Sequence, residues 1–110
     1  MADKIKVIIK SPGEPIGHVA TINNTLERFQ MTVKGYIEAV PIGSTSAVII
    51  CNEYGKINKL DPNFKLGRFC SDTIMGTAVI CGTDEDEFAD VPFDLENWAD
   101  LLRNWGNVID

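Results

Sequence analysis

Few side chains in this chain are equipped for chemistry. His18 is its single histidine, and a serine or cysteine nucleophile needs such a base beside it. Its place after Gly17, at the start of the short extended run His18-Val19-Ala20-Thr21-Ile22, suits a structural or surface histidine. Cys51, Cys70 and Cys81 together with His18 would make four zinc ligands, yet no Cys-x-x-Cys pair sets two thiolates on one knuckle. Odd in number and set within or beside apolar segments, the cysteines are expected as reduced thiols packed like small hydrophobes. Gly55-Lys56 lacks the upstream glycine and the following Ser or Thr of a phosphate-cradling loop. Asp84-Glu85-Asp86-Glu87 lacks the alternating ligands, central glycine and final glutamate of a calcium loop. No catalytic constellation, metal site or cofactor is expected, so the chain reads as a binding protein and not an enzyme.

Two groups of residues are candidates for binding. Asn52, Glu53 and Lys56 flank one turn, with Asn63 and Arg68 downstream, and could form a polar pocket for a small anionic ligand such as a nucleotide. The competing reading is a β-turn with solvated charges. The second group follows from charge segregation. Residues 1–83 carry nine Lys/Arg against seven Asp/Glu, net +2, whereas residues 84–110 carry one Arg against nine acids, net −8, giving −6 for the chain. Such a tail repels phosphates, which disfavours direct nucleic-acid binding. It could instead meet a basic groove on a nucleic-acid-handling protein, with Asp84, Glu85, Asp86 and Glu87 supplying charge and Trp98 or Trp105 an anchor. The alternative is that both indoles pack on a sheet while the acids face water.

The elements that must position these residues can be read from periodicity. At 110 residues, 45% apolar and 24% charged, the chain suits one globular domain. Lys4 to Lys10 alternates lysine with Ile5, Val7 and Ile9, predicting a strand with one wet face near a sheet edge. Ser11-Pro12-Gly13-Glu14-Pro15 is turn chemistry, so His18 to Ile22 should return as the second arm of an antiparallel hairpin. Asn24 and Glu27 resemble a capping box, and Leu26, Phe29 and Val33 recur at helical spacing, predicting a helix over 25–34 closed by a left-handed Gly35. Tyr36 to Val40 and Ala47 to Cys51 are expected to pair as strands. Gly55 is expected at positive φ in a turn, 64–71 as loop, and 72–81 as a central strand. Asp94 should cap a final helix bearing Leu95, Trp98, Leu101, Leu102 and Trp105 on one stripe, ended by Gly106. The order is β-β-α-β-β-loop-β-α: an α+β domain with about five strands in an antiparallel or mixed sheet and two helices.

Several of these segments stand in a recognisable order. The first strand, Lys34-Gly35-Tyr36-Ile37-Glu38-Ala39-Val40-Pro41, Cys51-Asn52-Glu53-x-Gly55-Lys56, Pro62-Asn63 and Ile74-x-Gly76-Thr77-Ala78-Val79-Ile80-x-Gly82 resemble domain-of-unknown-function family 3846. The likeness covers residues 4–83, with the acidic segment and helix of 84–110 outside it. The family commonly has two glycines where this chain has Lys34-Gly35. The resemblance implies a small protein of phages, plasmids or conjugative elements working in the cytoplasm of a bacterial host. It carries over no catalytic residue or ligand. The company of such proteins suggests inhibition of host defence by binding a host protein, with sequestration of a signalling nucleotide as the alternative. The longest uninterrupted apolar run, 47–51, is far short of a membrane span, and no secretory leader pattern opens the chain. Symmetric pairing through strand one or the Trp-bearing helix would make a homo-oligomer.

Overall fold

The structure, a computed structural model, describes residues 3–67 and 73–108, with backbone alone for 105, 107 and 108. It is α+β. In chain order it contains β1 (Lys4–Lys10), β2 (His18–Asn23), α1 (Leu26–Val33), β3 (Ile37–Pro41), β4 (Ala47–Asn52), β5 (Pro62–Lys65), β6 (Ile74–Met75), β7 (Ala78–Asp84), β8 (Glu87–Ala89), α2 (Leu95–Trp105) and β9 (Asn107–Val108). A six-stranded sheet runs β2-β1-β7-β4-β3, with β8 attached to β7, and a three-stranded sheet runs β6-β5-β9. The strand pairs are antiparallel throughout.

Position in the large sheet explains the burial pattern. β4 lies between β3 and β7 and is buried at every residue, as the apolar run 47–51 requires of a strand covered on both faces. One face packs Val48, Ile50, Val79 and Cys81 with Val7, Ile9 and Ile22 beneath Phe29 and Val33 of α1. The opposite face packs Ile8, Ile49, Cys51, Ala78 and Ile80 against Phe64 of β5, Ile74 of β6 and Trp98 and Leu102 of α2. The small sheet and α2 are therefore the second cover of the large sheet.

β1 departs from the expectation of an edge strand, because β2 occupies the edge and β1 lies inside it. Lys4 and Lys6 are exposed, but Lys10 is fully buried. β5 crosses this end of the strand. Lys10 Nζ donates to Asn63 Oδ1 at 2.6 Å and lies 5.6 Å from the centroid of the Phe64 ring.

β1 and β7 pair only over Ile8–Lys10 and Ala78–Ile80. Beyond that point β7 turns back on itself as β8, which occupies the gap. Asp90 Oδ1 accepts from Lys6 N at 2.8 Å, and Val91 N donates to Lys6 O at 2.8 Å, so the segment after β8 takes over hydrogen bonds that β7 no longer makes. Gly82 sits at this split, where a Cβ would lie 2.3 Å from Asp90 O; only glycine permits that approach.

Local chemistry differs from expectation at several places. α1 is capped by Thr25, whose Oγ1 accepts from Arg28 N, whereas Asn24 Nδ2 donates across to Phe88 O. Its left-handed residue is Lys34, φ 63°, not Gly35. The expected strand over 72–81 is broken into β6 and β7 at Gly76, whose φ is 78°. Phe64 and Lys65, expected as loop, are the end of β5. At α2 the expectation holds: Asp94 Oδ1 accepts from Asn97 N at 2.8 Å, and Gly106 follows the last helical residue, in extended conformation.

Trp98 is the largest fully buried side chain among the described residues. Its Nε1 donates to Ile16 O at 2.9 Å, its ring meets Phe64 edge-on at 5.6 Å and Phe93 stacks on it at 6.2 Å. Replacing it with alanine opens a cavity and is expected to cost about 3–5 kcal/mol in urea unfolding. The fully buried Cys81 gives a second expected outcome. Burial pushes its thiol up to about 12, while the unfolded chain ionises it near 8.5. Below that range both states hold the proton; above it the unfolded state releases it first. Stability should therefore fall as pH rises from about 9 towards 12 by a component that Cys81→Ala removes. Chemical denaturation at stepped pH measures it.

Candidate functional site

Among the described residues a cleft of about 690 Å³ opens over β3 and β4 on the small-sheet side of the large sheet, opposite α1. Strand alternation sets its floor: Glu38 pairs in register with Cys51 and Val40 with Ile49, so Glu38, Val40 and Cys51 share one face. The opposite wall is the turn that follows β4, with Glu53, Tyr54, Gly55, Lys56 and Ile57, backed by Ile74 and Met75. Glu38, Glu53, Lys56 and Ile57 are exposed, so acidic, basic and apolar groups all reach this opening.

Asn52 organises the turn. Its Nδ2 donates to Val33 O at 3.1 Å and Lys34 O at 3.2 Å, and its Oδ1 accepts from Tyr54 N at 2.8 Å. The amide therefore satisfies carbonyls left over at the end of α1 and starts the loop 53–59 in the same stroke. Gly35 makes this possible, since a Cβ there would lie 2.6 Å from Asn52 Nδ2. Gly55 is required by proximity to Met75, with a Cβ placed 2.9 Å from Met75 Cβ, and not by positive φ, which falls instead on Lys59 at 56°. Tyr36 and Tyr54 meet edge-on at 6.5 Å beside the cleft, and Ile57 is 76% exposed.

The expected ligand cluster is thus divided. Asn52, Glu53 and Lys56 line the cleft, although both ends of the Asn52 amide are committed to internal bonds. Asn63 lies elsewhere, fully buried, donating through Nδ2 to Lys10 O and Gly76 O, each at 2.8 Å. Arg68 falls outside the described residues. Glu38, Val40, Tyr54 and Met75 had not been singled out. The alternation of 36–40 carried the signal for the first two; nothing local announces that Met75 folds over the same opening.

The acidic candidates form a separate surface. Asp84 and Glu87 close the β7–β8 hairpin as a register pair, and Glu85 and Asp86 make the turn with φ of 47° and 72°. All four are exposed. On α2 the exposed residues include Glu96, Asn97, Arg103 and Asn104, and Asp100 pairs with Arg103 at 2.7 Å. Trp98, considered as a partner anchor, is in the core instead, because its stripe faces Phe64 and the sheet. Trp105 is the last residue of α2, and its side chain lies outside the described residues.

His18 Nδ1 lies 3.3 Å from Glu14 Oε2 on the surface. The Ser11 backbone N–H holds the Glu14 carboxyl below the usual carboxylate range, with a smaller contribution from His18. Among the described residues no group of three or more His, Cys, Asp or Glu side chains could hold a metal ion, and no helix is long and apolar enough to cross a membrane.

Comparison with known proteins places this geometry in a family. A family model described as Domain of unknown function (DUF3846) matches residues 5–103. No curated protein and no solved structure matches the chain. The family match runs past residue 83, so it takes in the acidic hairpin and most of α2, which the resemblance of individual motifs had left outside. With Trp98 of α2 and Phe64 of β5 packed in one core, the helix is part of the same fold as the motifs before it, and the chain belongs to the DUF3846 family.

Proposed function

We propose that this is a non-enzymatic binding protein of phage or mobile-element origin, acting in the bacterial cytoplasm to inhibit a host defence system by capturing a host protein. One observation carries the reading: four consecutive carboxylates are displayed on a two-residue hairpin whose central residues, Glu85 and Asp86, both sit at positive φ. Asn-Gly is the relaxed sequence for such a turn; Asp86 tolerates its left-handed conformation as Asn and Asp do, whereas Glu85 in that region carries a cost of roughly 1–2 kcal/mol. Carboxylates stand at a position where a neutral pair would fold better. Strain tolerated at an exposed tip points to function. A chain of net charge −6 is also steered towards basic surfaces, which suits a nucleic-acid-handling protein whose groove the carboxylates would occupy.

The cleft supports a second reading, sequestration of a signalling nucleotide. Lys56 offers a cation for phosphate, and Tyr54 offers a ring face beside the opening. Glu38 and Glu53 on the same cleft oppose an anionic ligand, which favours the protein partner.

Replacing Glu85-Asp86 by Asn-Gly is expected to raise the melting temperature by roughly 4–8 °C while weakening recovery of the partner from host cells, read by native mass spectrometry. Reversing Asp84, Glu85, Asp86 and Glu87 to lysine should abolish recovery; an unchanged yield rules out the electrostatic reading. For the second reading, a nucleotide at a hundredfold excess over its dissociation constant should stabilise the fold by about 2.7 kcal/mol. Lys56→Ala should remove that gain in a thermal-shift panel, and a flat panel removes the reading.

A further inference from the structure

β3 is the last strand of the large sheet, and among the described residues no strand pairs with its outer side. Which of its backbone groups face outward follows from the ladder. Glu53 N donates to Tyr36 O at 2.8 Å and Ile42 N donates to Ala47 O at 3.0 Å, and the register between them pairs Glu38 with Cys51 and Val40 with Ile49. Antiparallel bonding alternates along a strand, so the amides of Ile37 and Ala39 and the carbonyls of Ile37, Ala39 and Pro41 point away from β4. Pro41 fits that assignment, since it has no N–H to contribute to the inner ladder.

We propose that this edge is a homodimer interface, in which β3 of a second copy pairs antiparallel about Ala39 and joins the two large sheets into one. The strand is complementary to itself. Centred on Ala39, the two Ala39 residues exchange both hydrogen bonds, and each Ile37 N–H reaches the Pro41 carbonyl of the other copy. Charge selects this register. A shift of the pairing that centres it on Glu38 would set the two Glu38 carboxylates directly opposite each other, which is destabilising; centring on Ala39 sets Glu38 opposite Val40. Small Ala39 lies on the α1 side of the sheet and lets the strands approach.

The cleft gives a second reason to place the dimer here and not on β2, the other edge. Glu38, Val40 and Pro41 line the cleft on its β3 side, and the exposed Tyr36, Tyr54 and Ile57 lie beside it. A second β3 would set Val40 and Glu38 of the other copy against that side, extending each cleft and covering apolar surface at the same time. The dimer does not involve the acidic hairpin, so its success or failure is separate from that of host-protein capture.

The test is cross-linking combined with mass measurement on the full chain. Ala39→Cys should form an intermolecular disulfide under mild oxidation far faster than the parent chain, because the two Ala39 residues face each other as a hydrogen-bonded pair. Thr21→Cys, the matching position on the β2 edge, should not. Ala39→Pro removes an outward N–H and leaves the inner ladder intact, so it should yield a monomer with an unchanged circular dichroism spectrum. Pro41→Val supplies the missing outward N–H and should tighten the dimer roughly tenfold or more. A parent chain still monomeric by sedimentation at about 100 µM, where any micromolar dimer has formed, overturns the proposal. So does cross-linking through Thr21→Cys in place of Ala39→Cys, or a Pro41→Val chain that dimerises no more tightly.

Discussion

The fold depends on how a lysine is held inside it. Lys10 ends the strand that begins as an alternating, half-wet element, and β5 then covers it completely. A buried donor without an acceptor is expensive, and Asn63 answers this one. Its Oδ1 takes the Lys10 Nζ while its Nδ2 reaches Lys10 O and Gly76 O. One amide therefore ties β5 to β1 and to the break between β6 and β7. Phe64, the next residue, sets its ring centroid 5.6 Å from the Lys10 Nζ and joins the core with Trp98. The polar tie and the aromatic contact together dock the small sheet and α2 onto the large sheet.

With that cover in place, the large sheet becomes a layer buried on both faces at its centre, and its irregularities acquire reasons. β7 is shared between β1 and β4 for part of its length and folds back as β8 where β1 diverges. Asp90 and Val91 complete the hydrogen bonding of Lys6 across the split. The same fold-back that fills the gap pushes Asp84–Glu87 out into water, so the acidic tip is a product of how the sheet is closed. At the other end, Asn52 leaves β4 to satisfy the end of α1, and the loop it starts forms the wall of the cleft.

Strand and helix existence was legible because burial periodicity is written locally. The hairpin of β1 and β2, the helix over 26–33, the β3–β4 pair and the capped α2 all follow from apolar spacing and turn residues. The short strands β5, β8 and β9 were not legible, being two to four residues long, nor was the break at Gly76 that separates β6 from β7 inside the expected strand. The candidate site was half legible. Asn52, Glu53 and Lys56 are adjacent and stay together, whereas Asn63 was grouped with them by proximity in sequence and is drawn away by Lys10.

The sequence by itself determined the class of the fold, the Asp94 cap of α2, and the separation of a nearly neutral body from an acidic tail, because these depend on residues within a few positions of one another. Only the tertiary structure decided that Lys10 is buried, that Trp98 is core, that β3 and not β1 is a terminal strand of the large sheet among the described residues, and that a cleft lies beside it. Those outcomes depend on which strand lies next to which, a choice made by contacts between residues far apart along the chain and so carried by no local pattern.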